Sequence, residues 1–309
     1  EGTFDGNDKT ISGIRIYKGS SQYAGLFGFL SGTVKKLTLT DTRIVGYSNT
    51  GGIAGQCGAN SLVDHCTVTS TVAIYAIQSG ARRLGGIVGH SSSMTATITN
   101  NTSSATVAIK EGLTGCENFG GIQGSVNSEE TLSNNLAIGA TVKDSNGKSG
   151  AIIGAIMGNN DIGANITNNY YINCTVNGTA NALNVGCPTG DITGNCAAVS
   201  LHTLTLAAGV TTTTPPSVNI GGTDYYGHGT TITLSGMQTG ILPVGYIYDG
   251  YTVNGTAISG LTFTMPAQDT EVTSTTVPVY PLTLADGITT TTTPTITFDN
   301  TPYYLAGTT

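Results

Sequence analysis

The sequence predicts an all-β protein: a right-handed parallel β-helix, followed by a small β-sandwich or β-grasp-like module and a truncated second copy of that module. Three observations predict it. A glycine motif returns every 27 to 35 residues through the first part of the chain. A β-branched run, mostly closed by asparagine, returns in step with it. A Thr-rich stretch beginning at Leu204 recurs 78 residues later at Leu282. Units of this size cannot bury an apolar face alone and do so by stacking on their neighbours.

The glycine motif is clearest as Gly85-Gly86-Ile87-Val88-Gly89. Near copies are Gly51-Gly52-Ile53-Ala54-Gly55 and Gly120-Gly121-Ile122-Gln123-Gly124. Looser ones are Ala24-Gly25-Leu26-Phe27-Gly28 and Gly150-Ala151-Ile152-Ile153-Gly154, so the steps between cores are 27, 34, 35 and 30. Gly25, Gly28, Gly52, Gly55, Gly86, Gly89, Gly121, Gly124 and Gly154 are expected at corners, where glycine takes positive φ without steric cost. Between them Leu26, Ile53, Ile87, Ile122 and Ile152 should point inward as one column. The accompanying runs begin at Val34, Val63, Ile98, Leu132, Ile166 and Ile192. Asn101, Asn135, Asn169 and Asn195 follow in them and are expected to bond from rung to rung. A buried amide left without a partner is costly, so such a ladder must be complete or solvated.

Ahead of the first rung, Gly2–Asn7 reads as a turn with Asp5-Gly6 at its corner, feeding a strand over Thr10–Ile14. Ile14, Ile16 and Tyr17 continue it. The longer spans Ile74–Leu84 and Ile109–Phe119 are expected to bulge as loops, where recognition concentrates.

Composition narrows the function. Charged residues make up 9% of the chain, Trp is absent and Gly numbers 44. All 11 Lys and Arg lie between Lys9 and Lys148; up to Ser200 they face 12 acidic residues, and beyond it 6 acidic residues stand alone. Phosphate backbones and anionic lipids are held mainly by Lys and Arg, which argues against nucleic acid and membrane-surface partners. No apolar run reaches the roughly 20 residues that span a bilayer, so membrane insertion is not expected. The start Glu1-Gly2-Thr3, without Met, reads as a processed or excised product and leaves secretion open.

Cys57 and Cys66 are nine apart, as are Cys187 and Cys196, and each pair spans from a turn to the next strand. Two disulfides and buried free thiols both fit this spacing. No Cys-x-x-Cys pair occurs, so no metal or other cofactor is expected. Asp5, Asn7 and Asp8 are the nearest approach to a calcium site.

Catalysis on polysaccharides needs paired carboxylates, or a carboxylate with a cation. Candidates are Asp64 with His65, Asp41 with Arg43, Arg82-Arg83, and Glu129-Glu130. Asp64 and His65, as sequence neighbours in a strand, should face opposite sides. Arg82 and Arg83 are read as solvated loop charge or an anion site, and Glu129-Glu130 as solvent-facing. Tyr225, Tyr226, Tyr246, Tyr248 and Tyr251 are the densest aromatic group, suited either to a sugar-binding surface or to the core of a small module.

Gly-Thr-Phe-Asp-Gly-Asn at 2–7, Gly-Leu-Phe-Gly at 25–28 and the recurring Gly-Gly-Ile-x-Gly resemble the GLUG-motif repeats of bacterial surface proteins, over about residues 1–200. That resemblance implies a secreted or surface-exposed, adhesin-like β-helix. The peptidase chemistry found beside some such repeats has no His-Glu-x-x-His here. Residues 204–280, with Gly229-Thr230-Thr231-Ile232, Val253-Asn254-Gly255-Thr256 and Phe263-Thr264-Met265-Pro266, resemble divergent InlB-B-type repeats, with Tyr251 where such repeats often carry Trp. Asn254-Gly255 is a strong hairpin signal. Residues 281–309 repeat the start of that module, with strand edges suited to pairing with the preceding module or to self-association. The expectation is thus a non-catalytic extracellular or cell-surface adhesin for a host or environmental glycan or surface protein. A polysaccharide lyase or hydrolase and a structural stalk are the alternatives.

Overall fold

The structure, a computed structural model, describes residues 2–93, 95–126, 130–143, 153–159, 165–177, 179–180, 198–235, 241–242 and 245–309. The described residues form strands and connections without a helix. The chain divides into two units, Glu1–Ser200 and Leu201–Thr309.

In the first unit the chain visits four parallel sheets, called ladders below, in the same order on each pass, and the first continues past its corner into Thr67–Val68, Thr102–Ser103, Leu136–Ile138 and Asn169–Ile172. The first ladder contains Thr33–Thr40, Leu62–Asp64, Thr97–Thr99, Thr131–Ser133 and Asn165–Thr167. The second contains Arg15–Lys18, Arg43–Gly46, Ala73–Ala76, Thr106–Ile109, Thr141–Lys143 and Thr175–Val176. Ser48–Gly51, Arg82–Gly85, Glu117–Gly120 and Ile153–Gly154 form the third. Phe27–Leu30, Ala54–Cys57, Val88–Ser91, Gln123–Val126 and Met157–Asn159 form the fourth.

Register stacks like on like. Val34, Val63, Ile98, Leu132 and Ile166 align in the first ladder. Ile44, Ile74, Val107 and Val142 align in the second. Nearly all are fully buried in one continuous apolar cluster. Because strand side chains alternate in direction, a β-branched residue at every second position fills the interior and leaves its neighbours outside.

The asparagine column forms where the sequence places it, with a shorter reach. The side-chain amide of Asn101 donates to Asn135 Oδ1 at 3.0 Å, and that of Asn135 to Asn169 Oδ1 at 2.9 Å. The same oxygens accept the backbone amides of Asn101 and Asn135, and Asn101 Oδ1 accepts that of Cys66 at 2.8 Å. All three asparagines are fully buried. Asn195 lies outside the described residues; in register, Asn169 is followed by position 198, an alanine. The residue at this corner of each rung, Lys36, His65, Asn100, Asn134 or Asn168, is left-handed, with φ between 50° and 57°, and is followed by Leu37, Cys66 or a column asparagine. Asn-Asn pairs thus divide the work: the first amide tolerates the left-handed corner and the second ties rungs together.

Several expectations need correction. The motif glycines Gly25, Gly28, Gly52, Gly55, Gly86, Gly89, Gly121, Gly124 and Gly154 are not in the positive-φ region. Apart from Gly28 and Gly154, their role is close approach. A Cβ on Gly55 would sit 2.7 Å from the Asn49 carbonyl oxygen, and one on Gly124 2.5 Å from the Arg83 carbonyl carbon. The third and fourth ladders thus meet backbone to backbone. The fifth motif copy is Gly154-Ala155-Ile156-Met157-Gly158 rather than Gly150–Gly154. Gly154 pairs with Gly120, and the Ile122 amide donates to the Ile156 carbonyl at 2.9 Å. Ala155 stands where the other copies have glycine, so the sequence pattern slid onto an earlier Gly-Ala-Ile. Ile156, fully buried, takes the column place assigned to Ile152, which lies outside the described residues.

Ile74–Leu84 and Ile109–Phe119 begin and end in ladder strands, so the expected loops shrink to their middles, 77–81 and 110–116. Asp5-Gly6 is not a corner feeding a strand but a bulge inside Thr3–Ser12, between Asp5 and Lys9. Glu130 is fully buried rather than solvent-facing; Glu129 lies outside the described residues. Cys57 and Cys66 form no disulfide and, with Cys116 and Cys174, are buried free thiols. Cys187 and Cys196 lie outside the described residues.

In the second unit, Tyr246–Val253 pairs antiparallel with Thr270–Pro281, and Asn254-Gly255, with φ of 48° and 79°, turns it into Thr256–Ile258. Val210, Tyr226, Ile232, Leu234, Tyr251, Met265 and Val272 form its core. The second copy repeats the register: Val218 pairs with Tyr225 as Ile296 does with Tyr303, and Leu201 with Gly227 as Val279 does with Leu305. Its hairpin therefore pairs with the end of the preceding module's strand. Burial does not repeat: Val210 is 6% exposed and its counterpart Ile288 59%. Ile232, Leu234, Tyr251, Met265 and Val272, which complete the first core, have no counterparts in 281–309.

Candidate binding face

Side-chain alternation in the second ladder gives two outer rows, in which Val45 and Ala108 are covered by their neighbours. One is Arg15, Arg43, Ala73, Thr106 and Thr141; the other is Tyr17, Val45, Tyr75, Ala108 and Lys143. Ile16, Ile44, Ile74, Val107 and Val142 between them point to the interior. The six strands of this ladder carry four basic residues, Arg15, Lys18, Arg43 and Lys143, and no acidic one.

The Arg43 guanidinium lies over the Tyr75 ring, 5.3 Å from its centroid. Stacking of this kind holds the guanidinium in place while leaving its edge free to donate. This pair separates two shallow hollows. One, of about 300 Å³, is lined by Arg15, Ile16, Tyr17, Arg43, Val45 and Ile77. The other, of about 340 Å³, lies on the Tyr75 side and reaches Thr141, Lys143 and Glu111. Tyr17 is 73% exposed and contributes almost nothing to the core. Arg15 is held by Asp41, whose carboxylate is 3.1 Å away, and both side chains are exposed. Asp41 therefore pairs with Arg15 rather than with Arg43.

Apart from Asp41 and Arg43, the residues singled out from sequence lie elsewhere and do not converge. Arg82 and Arg83 belong to a strand of the third ladder. Arg82 is 3.7 Å from Glu117. Arg83 is left-handed at φ 63° and half-buried, and its Nε is buried with no hydrogen-bond partner. Burial, reinforced by Arg82, lowers its pKa. Beside it His90 is 2% exposed and pushed down to about 4, first by burial and then by the Arg83 charge, so it is neutral at neutral pH. Its Nδ1 lies 3.1 Å from the Ser125 carbonyl oxygen. Of the five tyrosines, Tyr226 and Tyr251 are core residues, Tyr225 and Tyr248 are half-buried, and Tyr246 is exposed.

Asp64 and His65 do meet, with His65 Nδ1 2.7 Å from Asp64 Oδ1, because the left-handed turn at His65 breaks the strand alternation that would separate them. Asp64 also accepts the Asn100 side-chain amide at 2.9 Å. Asp5 is lowered by the Asn7 backbone amide and then by Lys35, 3.2 Å away, so it is committed to a turn and an ion pair. No cluster of three His, Cys, Asp or Glu suited to a metal occurs among the described residues. No helix among them is long and apolar enough to cross a membrane.

The chain is 33% identical over 104 residues to halomucin of Haloquadratum walsbyi, a match covering 33% of this chain and 1% of that protein. No protein-family model matches it. No solved structure matches it.

Tyr75 and Lys143 escaped the sequence reading, Tyr17 was read only as part of a strand and Arg43 only as a partner of Asp41, yet a signal for all four exists. Arg15-Ile16-Tyr17, Arg43-Ile44-Val45, Ala73-Ile74-Tyr75, Thr106-Val107-Ala108 and Thr141-Val142-Lys143 align as x-aliphatic-x triplets. Stacking the triplets by their central residue puts the arginines in one column and both tyrosines in the other.

Proposed function

We propose that the chain is part of a secreted or cell-surface protein that binds a glycan or surface protein without catalysis, in the manner of an adhesin. In this reading the four ladders are the walls of a right-handed parallel β-helix of the GLUG-repeat kind, and 204–280 is a small β module of the divergent InlB-B kind. The outward face of the second ladder is the binding surface. The observation that carries the reading is that face itself: exposed Tyr17, the Arg43–Tyr75 stack and two hollows on a rigid ladder without acidic residues. Tyrosine and arginine are enriched at recognition surfaces, where a ring offers a large apolar contact and a guanidinium fixed by stacking offers directed donors. The similarity to halomucin supports a surface setting.

The test is a glycan and matrix-protein array probed with the full chain, alongside a reducing-end release assay on the same polysaccharides. Saturable binding without product, weakened by Tyr17→Ala, supports the reading. Release of new chain ends would replace it with a polysaccharide-active enzyme. Absence of both binding and release would leave a stalk.

A further inference from the structure

We infer that the ligand of the second-ladder face is a linear acidic polysaccharide, carboxylated or sulfated, lying across the rungs; this rests on the binding reading above. Charge supplies the sign. The face presents Arg15, Arg43 and Lys143 outward, and the nearest acids are Asp41, already bonded to Arg15, and Glu111 at the rim of one hollow. An exposed ion pair such as Arg15 with Asp41 is worth little, so an incoming carboxylate or sulfate can take its place.

Spacing supplies the class. At about 4.8 Å per rung, Arg15 and Arg43 are one rung apart, and Arg43 and Lys143 are three rungs or roughly 14 Å apart. A nucleic-acid strand carries a charge about every 3.4 Å and needs a dense row of cations; three over five rungs are too sparse for it. A sugar chain with one acid group every one or two residues suits this spacing. The rings supply the remaining contact. Tyr17 and Tyr75 stand two rungs apart, roughly 10 Å, on the same side of the ladder. Each offers an apolar surface to the C–H face of a pyranose, while the guanidinium edges take the acid groups in paired hydrogen bonds. Val45 and Ala108, in the same row, are too small to obstruct a chain running over them.

The experiment is titration calorimetry of the full chain with polygalacturonate, alginate, hyaluronate and chondroitin sulfate. Fully methyl-esterified polygalacturonate serves as the neutral counterpart, and polyglutamate and single-stranded DNA as polyanions of other classes. We expect at least one acidic polysaccharide to bind, with affinity falling as salt rises. Arg43→Ala and Lys143→Ala should each weaken it about threefold to tenfold, and Tyr17→Ala should weaken it without changing the unfolding midpoint. Lys9→Ala, on the strand Thr3–Ser12 that pairs with the first ladder, should leave it unchanged. Equal binding of esterified and free polygalacturonate, still dependent on Tyr17, would overturn the acidic class and keep a glycan-binding face. Binding of polyglutamate or DNA but no polysaccharide would overturn the ligand class. No binding to any of these polymers, with an array ligand insensitive to all three variants, would overturn both this inference and the location of the face.

Discussion

At the scale of single residues, two buried polar devices should govern stability. The amide of Asn135 is bonded on both sides: its oxygen accepts from the backbone and side chain of Asn101, and its nitrogen donates to Asn169 Oδ1 and to the Ile98 carbonyl. Asn135→Ala leaves several fully buried groups without partners, at about 1–3 kcal/mol each. Urea unfolding should therefore show a loss of several kcal/mol, well beyond that from Asn→Ala at exposed Asn60. Glu130 is the opposite case, a buried carboxyl whose oxygens have no bonded partner. Burial pushes its pKa from 4.5 up to about 8, against the weaker pull of the neighbouring Ser91 hydroxyl and Gln123 amide. The folded state thus holds a proton that the unfolded chain releases near 4.5. Its contribution is intact below that pH, declines as pH rises towards about 8, and is flat beyond. Denaturation midpoints across pH 4 to 9 should show this slope in the wild type and lose it in Glu130→Gln. Burial likewise pushes the Cys57 thiol up to about 12 and those of Cys66 and Cys174 to about 11, so these thiols should resist a thiol reagent until the protein unfolds.

At the scale of elements, the third and fourth ladders depend on having no side chain between them. Gly89→Ala would drive a Cβ into the Thr50 backbone nitrogen, a rigid group that cannot step aside. The expected loss is about 3 kcal/mol or more, with expression falling, since overpacking a closed site displaces backbone. Gly2→Ala, with open space around it, should be neutral. This contrast also marks what a reader of the bare sequence can and cannot find. The repeat, the aliphatic columns and the Asn101–Asn135–Asn169 series were legible because each is a periodic residue type. The role of the glycines was not, because positive φ and close approach select the same residue. Arg82 and Arg83 were misplaced in a loop because the span around them lacks alternation, its strands being only four residues long. The proposed binding face stayed largely hidden for a different reason. Its tyrosines and cations are adjacent only across rungs and look scattered along the chain.

At the scale of the whole molecule, the two units have separate apolar cores with no shared residue. Hydrogen exchange in increasing denaturant should therefore show two groups of protected amides. One would report the columns through Ile74 and Ile98, and the other the strands carrying Tyr226, Tyr251 and Val272. A single merged transition would mean that the cores are coupled after all. Among the described passes of the first unit, those after the first repeat closely similar stacking surfaces at a step of 34 or 35 residues, as from Gly52 to Gly86, to Gly121 and to Ala155. Such a ladder has a natural increment of growth. Unequal crossing-over between neighbouring repeats, in frame, would lengthen or shorten the protein by one whole storey. The seams above and below would still match, because each floor offers the next the same valines, amides and bare glycines. Reach could then evolve by counting, without redesigning any joint.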